Sequence, residues 1–174
     1  STLLKISAGI IVPTKGSVKF EGKDIHSMNS AQTKAFRKRT AFIFQDSALW
    51  ANQNIMQTLM IPLQILYPEM PAKEKMETIK AICHTLNYER SLELRPADLS
   101  MGEQKKVAFA RAMVLKPEIL FLDEVTESLD VKVVDIVFQL LHDFIDNGGT
   151  VIYISHNPTF VKEFPARKIK IKEG

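Results

Sequence analysis

The chain of 174 residues contains a single cysteine, Cys83, which excludes a disulfide within the chain. A single cysteine is typical of a protein in a reducing compartment. The simplest role for Cys83 is that of a buried thiol on a helix. No apolar run approaches the ~18 residues of a membrane-spanning helix, and the sequence shows no signal-peptide pattern. We therefore expect a cytoplasmic protein, which leaves open that it docks on a membrane partner.

The net charge is also small, because 23 Lys and Arg against 20 Asp and Glu give a formal charge of +3 at pH 7. The basic residues are scattered, so the composition does not indicate a nucleic-acid partner. Hydrophobic residues make up 45% of the chain and charged residues 25%. This balance predicts one globular domain with a sizeable core and room for a helical subdomain.

The most informative stretch of the chain lies between residues 99 and 130. Ser100 and Glu103 have the spacing of a capping box, and an apolar pattern at helical spacing follows them, so a helix is predicted to begin here. A helix start presents unpaired N–H groups, and the small Gly102 lets an anion such as phosphate approach the backbone. Taken by itself, the segment is better explained as an ordinary capped helix.

A buried parallel strand is predicted for residues 119–122, which are apolar and precede the acidic pair Asp123 and Glu124. Open α/β sheets bind ligands at the carboxyl ends of such strands. Successive side chains on a strand point apart, so Asp123 can face a Mg²⁺ shell while Glu124 faces a water that needs a proton acceptor. For this pair alone, a solvated strand end is the simpler explanation.

Two more predicted strands end at polar residues. Residues 40–44 precede Gln45, whose amide oxygen can contact Mg²⁺ or an attacking water. Residues 150–155 are predicted as a second buried strand that precedes His156, where the side chain can reach a γ-phosphate in the same crevice as the carboxylates. Either residue alone is more typical of an ordinary loop position.

Together these segments resemble the motifs of the ATP-binding cassette (ABC) ATPase family. Residues 99–103 resemble its signature motif, residues 119–124 its Walker B strand, and Ser128-Leu129-Asp130 its D-loop. Gln45 is similar to the glutamine of the family's Q-loop, and His156 is similar to the histidine of its H-loop.

The first residues, Ser1 and Thr2, resemble those that directly follow the Gly-rich loop and lysine of Walker A in this family. We therefore expect that phosphate-binding loop and the early strands of the family to lie upstream of Ser1. A plain helix N-terminus is the alternative explanation. On the family interpretation, the isolated fragment is expected to bind ATP poorly and to be inactive.

Three residues depart from the family pattern. Met101 stands where the family usually has glycine, so the backbone is less free to approach a phosphate there. Glu103 replaces the usual glutamine, which favours helix capping but adds a negative charge near a nucleotide. Val125 stands where proline commonly follows the Walker B glutamate, which leaves the pose of the D-loop open.

The resemblance implies an α/β fold, with a P-loop NTPase-like parallel sheet core and a helical subdomain that carries the signature motif. On this view residues 1–174 form one incomplete ABC ATPase domain, with residues 46–113 as the helical subdomain and residues 1–45 and 114–174 as the RecA-like core. The local patterns also predict a hairpin, several helices and an edge strand, in chain order at residues 16–25, 31–39, 54–66, 71–86, 131–146, 158–163 and 168–172.

Several local details follow from the same patterns. Pro62 is predicted to kink or end its helix early. The basic cluster Arg37-Lys38-Arg39 is expected to be a solvated helix face. Trp50, the only tryptophan, is expected either in the core or as a docking contact. One face of the helix over residues 131–146 is predicted to carry Val134, Phe138, Leu141 and Ile145.

The function implied by the resemblance is that of an ATP-hydrolysing ABC transporter subunit, with ATP and Mg²⁺ as its cofactors. Its expected partners are a transmembrane permease subunit and a second ATPase subunit, at the inner face of the cell membrane, with no nucleic acid. Two such cassettes sandwich each ATP between the Walker motifs of one and the signature helix of the other.

By the same resemblance, three groups of residues receive roles. The catalytic residues are Glu124, His156 and Gln45. The nucleotide-binding residues are Ser1, Thr2, Ser100, Gly102 and Asp130. The metal ligands are Ser1, Gln45 and Asp123.

Two other functions remain open, namely a soluble ABC ATPase that acts on ribosomes or DNA, and a non-catalytic remnant that has lost its nucleotide loop. A Gly-rich loop ending in lysine upstream of Ser1 would favour the enzyme. Within the transporters, residues 42–62 resemble cassettes of Mce-associated lipid importers.

Overall fold

The computed structural model describes residues 1–127 and 129–170 of the chain. Short 3₁₀ turns lie at Ile25–Ser27 and Pro96–Asp98. The helices and strands are, in chain order, α1 (Thr2–Ser7), β1 (Lys19–Phe20), β2 (Lys23–Asp24), α2 (Ser30–Arg39), β3 (Thr40–Ile43), α3 (Ile55–Leu66), α4 (Ala72–Thr85), α5 (Met101–Met113), β4 (Ile119–Asp123), α6 (Val131–Asp146), β5 (Thr150–Ile154) and α7 (Pro158–Glu163).

A parallel sheet with the strand order β3-β4-β5 forms the centre of the fold. Ile43 pairs with Leu122 in one ladder, and Asp123 pairs with Ile154 in the other. Because all three strands run the same way, the residues that follow them meet at one edge of the sheet, which is formed by the carboxyl ends of the strands. The predicted α/β class with a parallel sheet is confirmed, and the polar residues that were predicted to share a crevice follow its strands at this edge.

The two faces of β4 are covered by different elements, because successive side chains on a strand alternate in direction. Leu120 and Leu122 belong to the main core, which helices α3 to α7 complete. Phe121 points to the opposite face, where it forms a smaller cluster with Leu4 and Ala8 beside α1. Burial on both faces explains why β4 is an uninterrupted apolar run.

The predicted hairpin is present as β1 and β2, two antiparallel strands of two residues each. Its turn places Glu21 and Gly22 at positive φ, which glycine adopts without strain. Helix α4 carries Cys83 as a buried thiol, as expected, and burial raises the pKa of that thiol to about 11. The division into residues 46–113 and the flanking core stays a prediction.

Helix α3 continues through Pro62 to Leu66, so the expected early end is wrong. Proline inside a helix costs roughly 3 kcal/mol because it removes a hydrogen bond and clashes with the preceding turn. The helix buries Leu59 and Leu63 completely, and each fully buried leucine contributes about 1.5–3 kcal/mol. Packing on both sides of the proline therefore holds the helix together.

Helix α6 has the predicted bounds, and the predicted apolar face is correct only in part, since Leu141 lies in the core and Phe138 packs against it. Of that face only Leu141 is fully buried, whereas Ile145 is 38% exposed. The sequence has apolar residues on two overlapping helical stripes, and contacts with the sheet decide which stripe lies inside. The stripe that faces the core consists of Val133, Val137, Leu140, Leu141 and Phe144.

The basic cluster at the end of α2 is not a solvated face. Arg37 donates to the carbonyls of Ala8 and Gly9 at 2.9 and 2.8 Å, which fixes the end of α1. Arg39 forms ion pairs with Glu21 and Glu118 at 2.6 and 2.7 Å. These contacts join parts of the chain that are far apart in sequence, so local periodicity does not reveal them.

Strand β5 was predicted to be buried, but it is only partly covered. It lies at the edge of the described sheet, so its outer backbone and the side chain of Ile152 are accessible. Of the edge strand predicted over residues 168–172, residues 168–170 have no strand structure and the last two lie outside the described residues. Within the described ranges, no helix combines the length and apolar character that crossing a bilayer requires.

Candidate functional site

The carboxyl end of β4 carries a buried carboxylate. Asp123 is 2% exposed, and its Oδ1 accepts a hydrogen bond of 2.7 Å from the hydroxyl of Ser1. The ammonium of Lys5 lies 3.9 Å from Oδ2. A buried carboxylate needs such partners, since removing a charge from water is costly. The structure thus brings together Ser1 and Asp123, two of the three predicted metal ligands.

Glu124 leaves the strand in a left-handed conformation, with φ of 48°, so strand alternation does not set its direction as we expected. Its N–H donates to the carbonyl of Ile154 at 3.0 Å. Its Oε2 accepts a bond of 3.1 Å from the backbone N–H of His156. The carbonyl of Ile154 therefore holds the backbone of Glu124, and the N–H of His156, two residues beyond β5, holds its carboxylate.

The second carboxylate oxygen of Glu124 is buried and has no hydrogen-bond partner within the described residues. The Nε2 of His156 lies 3.5 Å away, which is too long for a hydrogen bond. The imidazole of His156 is itself 94% exposed. A buried oxygen without a donor is unusual in folded proteins, and it is a position where a water or ligand proton is favoured.

Gln45 and Glu127 connect the loops that follow β3 and β4. The side-chain amide of Gln45 donates to Oε2 of Glu127. Among the described residues, this amide makes no hydrogen bond to Asp123 or Glu124. Gln45 therefore follows β3 at the same sheet edge as the carboxylates, and its side chain is bound there to Glu127.

A buried lysine lies beneath Gln45, and the sequence analysis missed it. Lys105 of α5 is 2% exposed, and its Nζ donates to the carbonyls of Phe44 and Gln45 at 3.1 and 2.6 Å. Burial lowers the pKa of this lysine to about 8, while the charges of nearby carboxylates, Asp46 first, oppose that shift. Its position on the helical stripe of Phe109 was the available signal.

Arg111, six residues further along α5, is a second residue that the sequence did not single out. Its guanidinium donates to the carbonyls of Ser47 and Ala48 at 2.9 and 2.6 Å. Burial lowers the pKa of Arg111, and the charge of Asp46 opposes this. Two side chains of α5 therefore hold the loop after β3 by binding the main-chain oxygens of that loop.

The start of α5 is the capping box that the sequence predicts. The hydroxyl of Ser100 accepts from the N–H of Glu103 at 3.3 Å, and the carboxylate of Glu103 accepts from the N–H of Ser100 at 2.8 Å. The hydrogen bond from the Ser100 backbone lowers the pKa of Glu103, and Arg90 pairs with this carboxylate at 3.0 Å. The expected capping role of Glu103 is confirmed.

Gly102 has a packing role that was not predicted. A Cβ at this position would lie 2.9 Å from Cγ2 of Val133 and 3.5 Å from Oδ2 of Asp130. Asp130 in turn caps α6 by accepting from the N–H of Val133 at 3.1 Å. The structure thus joins Gly102 and Asp130 where α5 meets α6, although Ser128 of the same predicted segment lies outside the described residues.

Two other predicted residues are exposed. Thr2 opens α1 beside Ser1, at the surface. Trp50 follows the loop of Gln45 and is 48% exposed, so its core assignment is wrong and its docking role stays a prediction.

The chain is similar in sequence to known proteins. The family described as "ABC transporter" matches residues 1–127 of the chain. The chain is 34% identical to the lipoprotein-releasing system ATP-binding protein LolD of Buchnera aphidicola subsp. Schizaphis graminum, over 100% of this chain and 76% of that relative. It is 32% identical to the methionine import ATP-binding protein MetN of Protochlamydia amoebophila, over 100% of this chain and 51% of that relative. The chain thus spans about half the length of this methionine-import relative.

The structure is similar to a dimeric post-hydrolysis state of the ATP-binding cassette MJ0796 bound to ADP and Pi. The TM-score is 0.84 at 27% identity, over 93% of this chain and 72% of that one. This likeness agrees with the P-loop NTPase-like sheet core that the sequence predicts.

The packing role of Gly102 is testable by substitution. In the full-length protein, Gly102→Ala should lower the free energy of unfolding by about 1–3 kcal/mol, because the added methyl group overlaps Val133. In a Val133→Ala background the same change should cost little, since the space is then open. Chemical denaturation measures both differences.

Val134→Ala is the matched control background, because Val134 lies beside Val133 but is not among the atoms nearest to Gly102. The cost of Gly102→Ala should persist there. A Gly102→Ala protein as stable as the parent in every background would show that contact with α6 does not require glycine.

Proposed function

Because the chain belongs to the ABC transporter family, we propose that it binds and hydrolyses ATP as the nucleotide-binding subunit of a transporter. The observation that carries the proposal is the pair at the end of β4. Asp123 is buried and bound to the hydroxyl of Ser1, and Glu124 presents a buried oxygen that has no donor in the described part of the chain. ATP hydrolysis needs a ligand for a metal ion and a general base that accepts a proton from water, and two adjacent carboxylates can supply these two roles.

The residues around Asp123 fit a Mg²⁺ ion. Its carboxylate and the hydroxyl of Ser1 are oxygen ligands already 2.7 Å apart, and Gln45 would supply an amide oxygen from the neighbouring loop. The described residues contain no cluster of three His, Cys, Asp or Glu that could hold a metal by itself. That suits Mg²⁺, which commonly binds one or two protein groups together with substrate phosphates. When bound, the ion would neutralise charge that develops on the phosphates.

Glu124 is the proposed general base. The N–H of His156 holds one of its oxygens, so the other is left to accept a proton from the attacking water. The exposed imidazole of His156 is proposed to contact the γ-phosphate, because it lies beside the same carboxylate. The hydroxyls of Ser1 and Thr2 are proposed to bind the nucleotide.

A second subunit is the proposed partner for the start of α5. Ser100, Gly102 and Asp130 lie where α5 and α6 meet, whereas Asp123 contacts Ser1 and Lys5 of the α1 region. This separation supports the proposal that they bind a nucleotide held by another copy. The dimeric state of the similar cassette MJ0796 supports it as well.

A transmembrane permease is the other proposed partner, with the subunit held at the inner face of the membrane. The names of similar proteins, which include a methionine import protein, a lipoprotein-releasing protein and an octopine permease protein of Agrobacterium tumefaciens, support this. Exposed Trp50 is the proposed docking contact. These relatives have different cargo, so transport of lipids by a Mce-associated system stays a prediction.

The role of Glu124 can be tested in the full-length protein. Glu124→Gln should slow ATP hydrolysis by roughly 10²-fold or more and leave ATP binding intact, because it removes the proton acceptor but keeps the shape of the side chain. His156→Ala should slow hydrolysis similarly. Steady-state phosphate release and titration with a fluorescent ATP analogue measure the two properties. Glu89→Gln, at an exposed position, is the control, and unchanged turnover in Glu124→Gln would refute the assignment.

The proposed nucleotide sandwich predicts assembly that depends on ATP. The full-length Glu124→Gln protein should dimerise only when ATP is added, since the phosphates bridge the two copies. Adding Ser100→Arg should block the dimer by crowding the start of α5, with ATP binding to the monomer nearly unchanged. Size-exclusion chromatography with light scattering measures the mass.

Ser27→Arg adds the same charge at an exposed serine elsewhere and should leave the dimer intact. A dimer that forms equally well without ATP would contradict the sandwich. So would a dimer that tolerates Ser100→Arg.

A further inference from the structure

The loop of residues 44–48, here called the Gln45 loop, is held by two cations of one helix, the buried Lys105 and the partly buried Arg111. Lys105 donates to the carbonyls of Phe44 and Gln45, and Arg111 donates to those of Ser47 and Ala48. Four of the five carbonyls in the loop thus bind α5. Within the described backbone the loop has a single internal hydrogen bond, from Ser47 N–H to the carbonyl of Phe44 at 3.2 Å.

The conformation of the Gln45 loop depends on these contacts. Ser47 and Ala48 have φ of 64° and 46°, in the left-handed region that residues with a Cβ rarely adopt. Residues in this region are strained, and they persist only when their surroundings hold them. Their carbonyls are the two that Arg111 binds, so the guanidinium stabilises the strained half of the loop.

Lys105 acts on the other half, which contains Gln45. An ammonium buried to 2% exposure is costly, and an apolar residue on this stripe of α5 would pack without that cost. The charges of Asp46, Asp123 and Glu127 favour the cation there. Lys105 therefore binds the loop directly, and its charge is also favoured by that of Asp123 in the proposed site.

We propose that Lys105 is a positioning residue for ATP hydrolysis, because its Nζ fixes the carbonyl of Gln45 and thereby the direction of the Gln45 side chain. The inference rests on the proposed ATPase function. Gln45 is bound at both ends, through its carbonyl to Lys105 and through its amide to Glu127. Lys105 lies five residues after Ser100, about 7.5 Å along the helix. A shift at the start of α5 is therefore passed directly to Gln45.

The test compares Lys105→Met with Lys106→Met in the full-length protein. Lys106 is the matched control, because it neighbours Lys105 and also donates to a carbonyl, that of Asn87 at 2.8 Å. Lys105→Met should lower kcat by about 10-fold or more, the usual effect of removing a residue that orients a ligating group. The KM for ATP should stay within about twofold, because Lys105 does not touch the nucleotide. Lys106→Met should change neither.

A double-mutant cycle with Gln45→Ala separates positioning from a general effect on the fold. If Lys105 acts through Gln45, Lys105→Met should have no further effect on kcat once Gln45 is alanine. Hydrogen exchange of the amides in residues 44–53 should also rise in Lys105→Met and stay at the parental level in Lys106→Met. Lys105→Gln keeps one donor and should recover part of the lost kcat, and it replaces Lys105→Met if that protein does not fold.

Independent effects of Lys105→Met and Gln45→Ala on kcat would overturn the inference, as would a parental kcat in Lys105→Met. A parent protein that does not hydrolyse ATP would instead overturn the proposed ATPase function. The two failures are therefore distinguishable.

Discussion

The buried carboxylate of Asp123 is the constraint on which the rest of the structure depends. It lies at the end of the central strand, and Ser1 and Lys5 compensate its charge from a helix more than a hundred residues away in sequence. Helix α1 can reach it only because Leu4 packs with Phe121 on that face of β4. The same helix therefore packs against the sheet and stabilises the charge at its edge.

Helix α5 carries a second set of constraints, because it binds both α6 and the Gln45 loop. Its first turn fits against α6 through Gly102, and its buried face holds the Gln45 loop through Lys105 and Arg111. Its capping box fixes where the helix begins. Helix α5 thus begins with the residues that resemble the signature motif and is hydrogen-bonded to the loop that resembles the Q-loop. This arrangement gives the proposed ATPase a direct path between the two.

Features decided locally were predictable from the sequence, and features decided by distant contacts were not. The capping box at Ser100 and the apolar run that ends at Asp123 depend on neighbouring residues, so the start of α5 and strand β4 were predicted correctly. The inner face of α6 and the role of Lys105 depend on what packs against each helix. A lysine counts as polar in any hydrophobic pattern, so burial of Lys105 is explained only by its hydrogen bonds to the carbonyls of Phe44 and Gln45.

The most direct test of the account is a crystal structure of the full-length Glu124→Gln protein with ATP and Mg²⁺. The account predicts the γ-phosphate beside Asp123 and residue 124 of one subunit, with Ser100 and Gly102 of a second subunit on its other side. It also predicts that Ser1 and Asp123 share the Mg²⁺ ion. A nucleotide bound elsewhere, or one bound without contact to Asp123, would contradict the central claim that the end of β4 is the catalytic site.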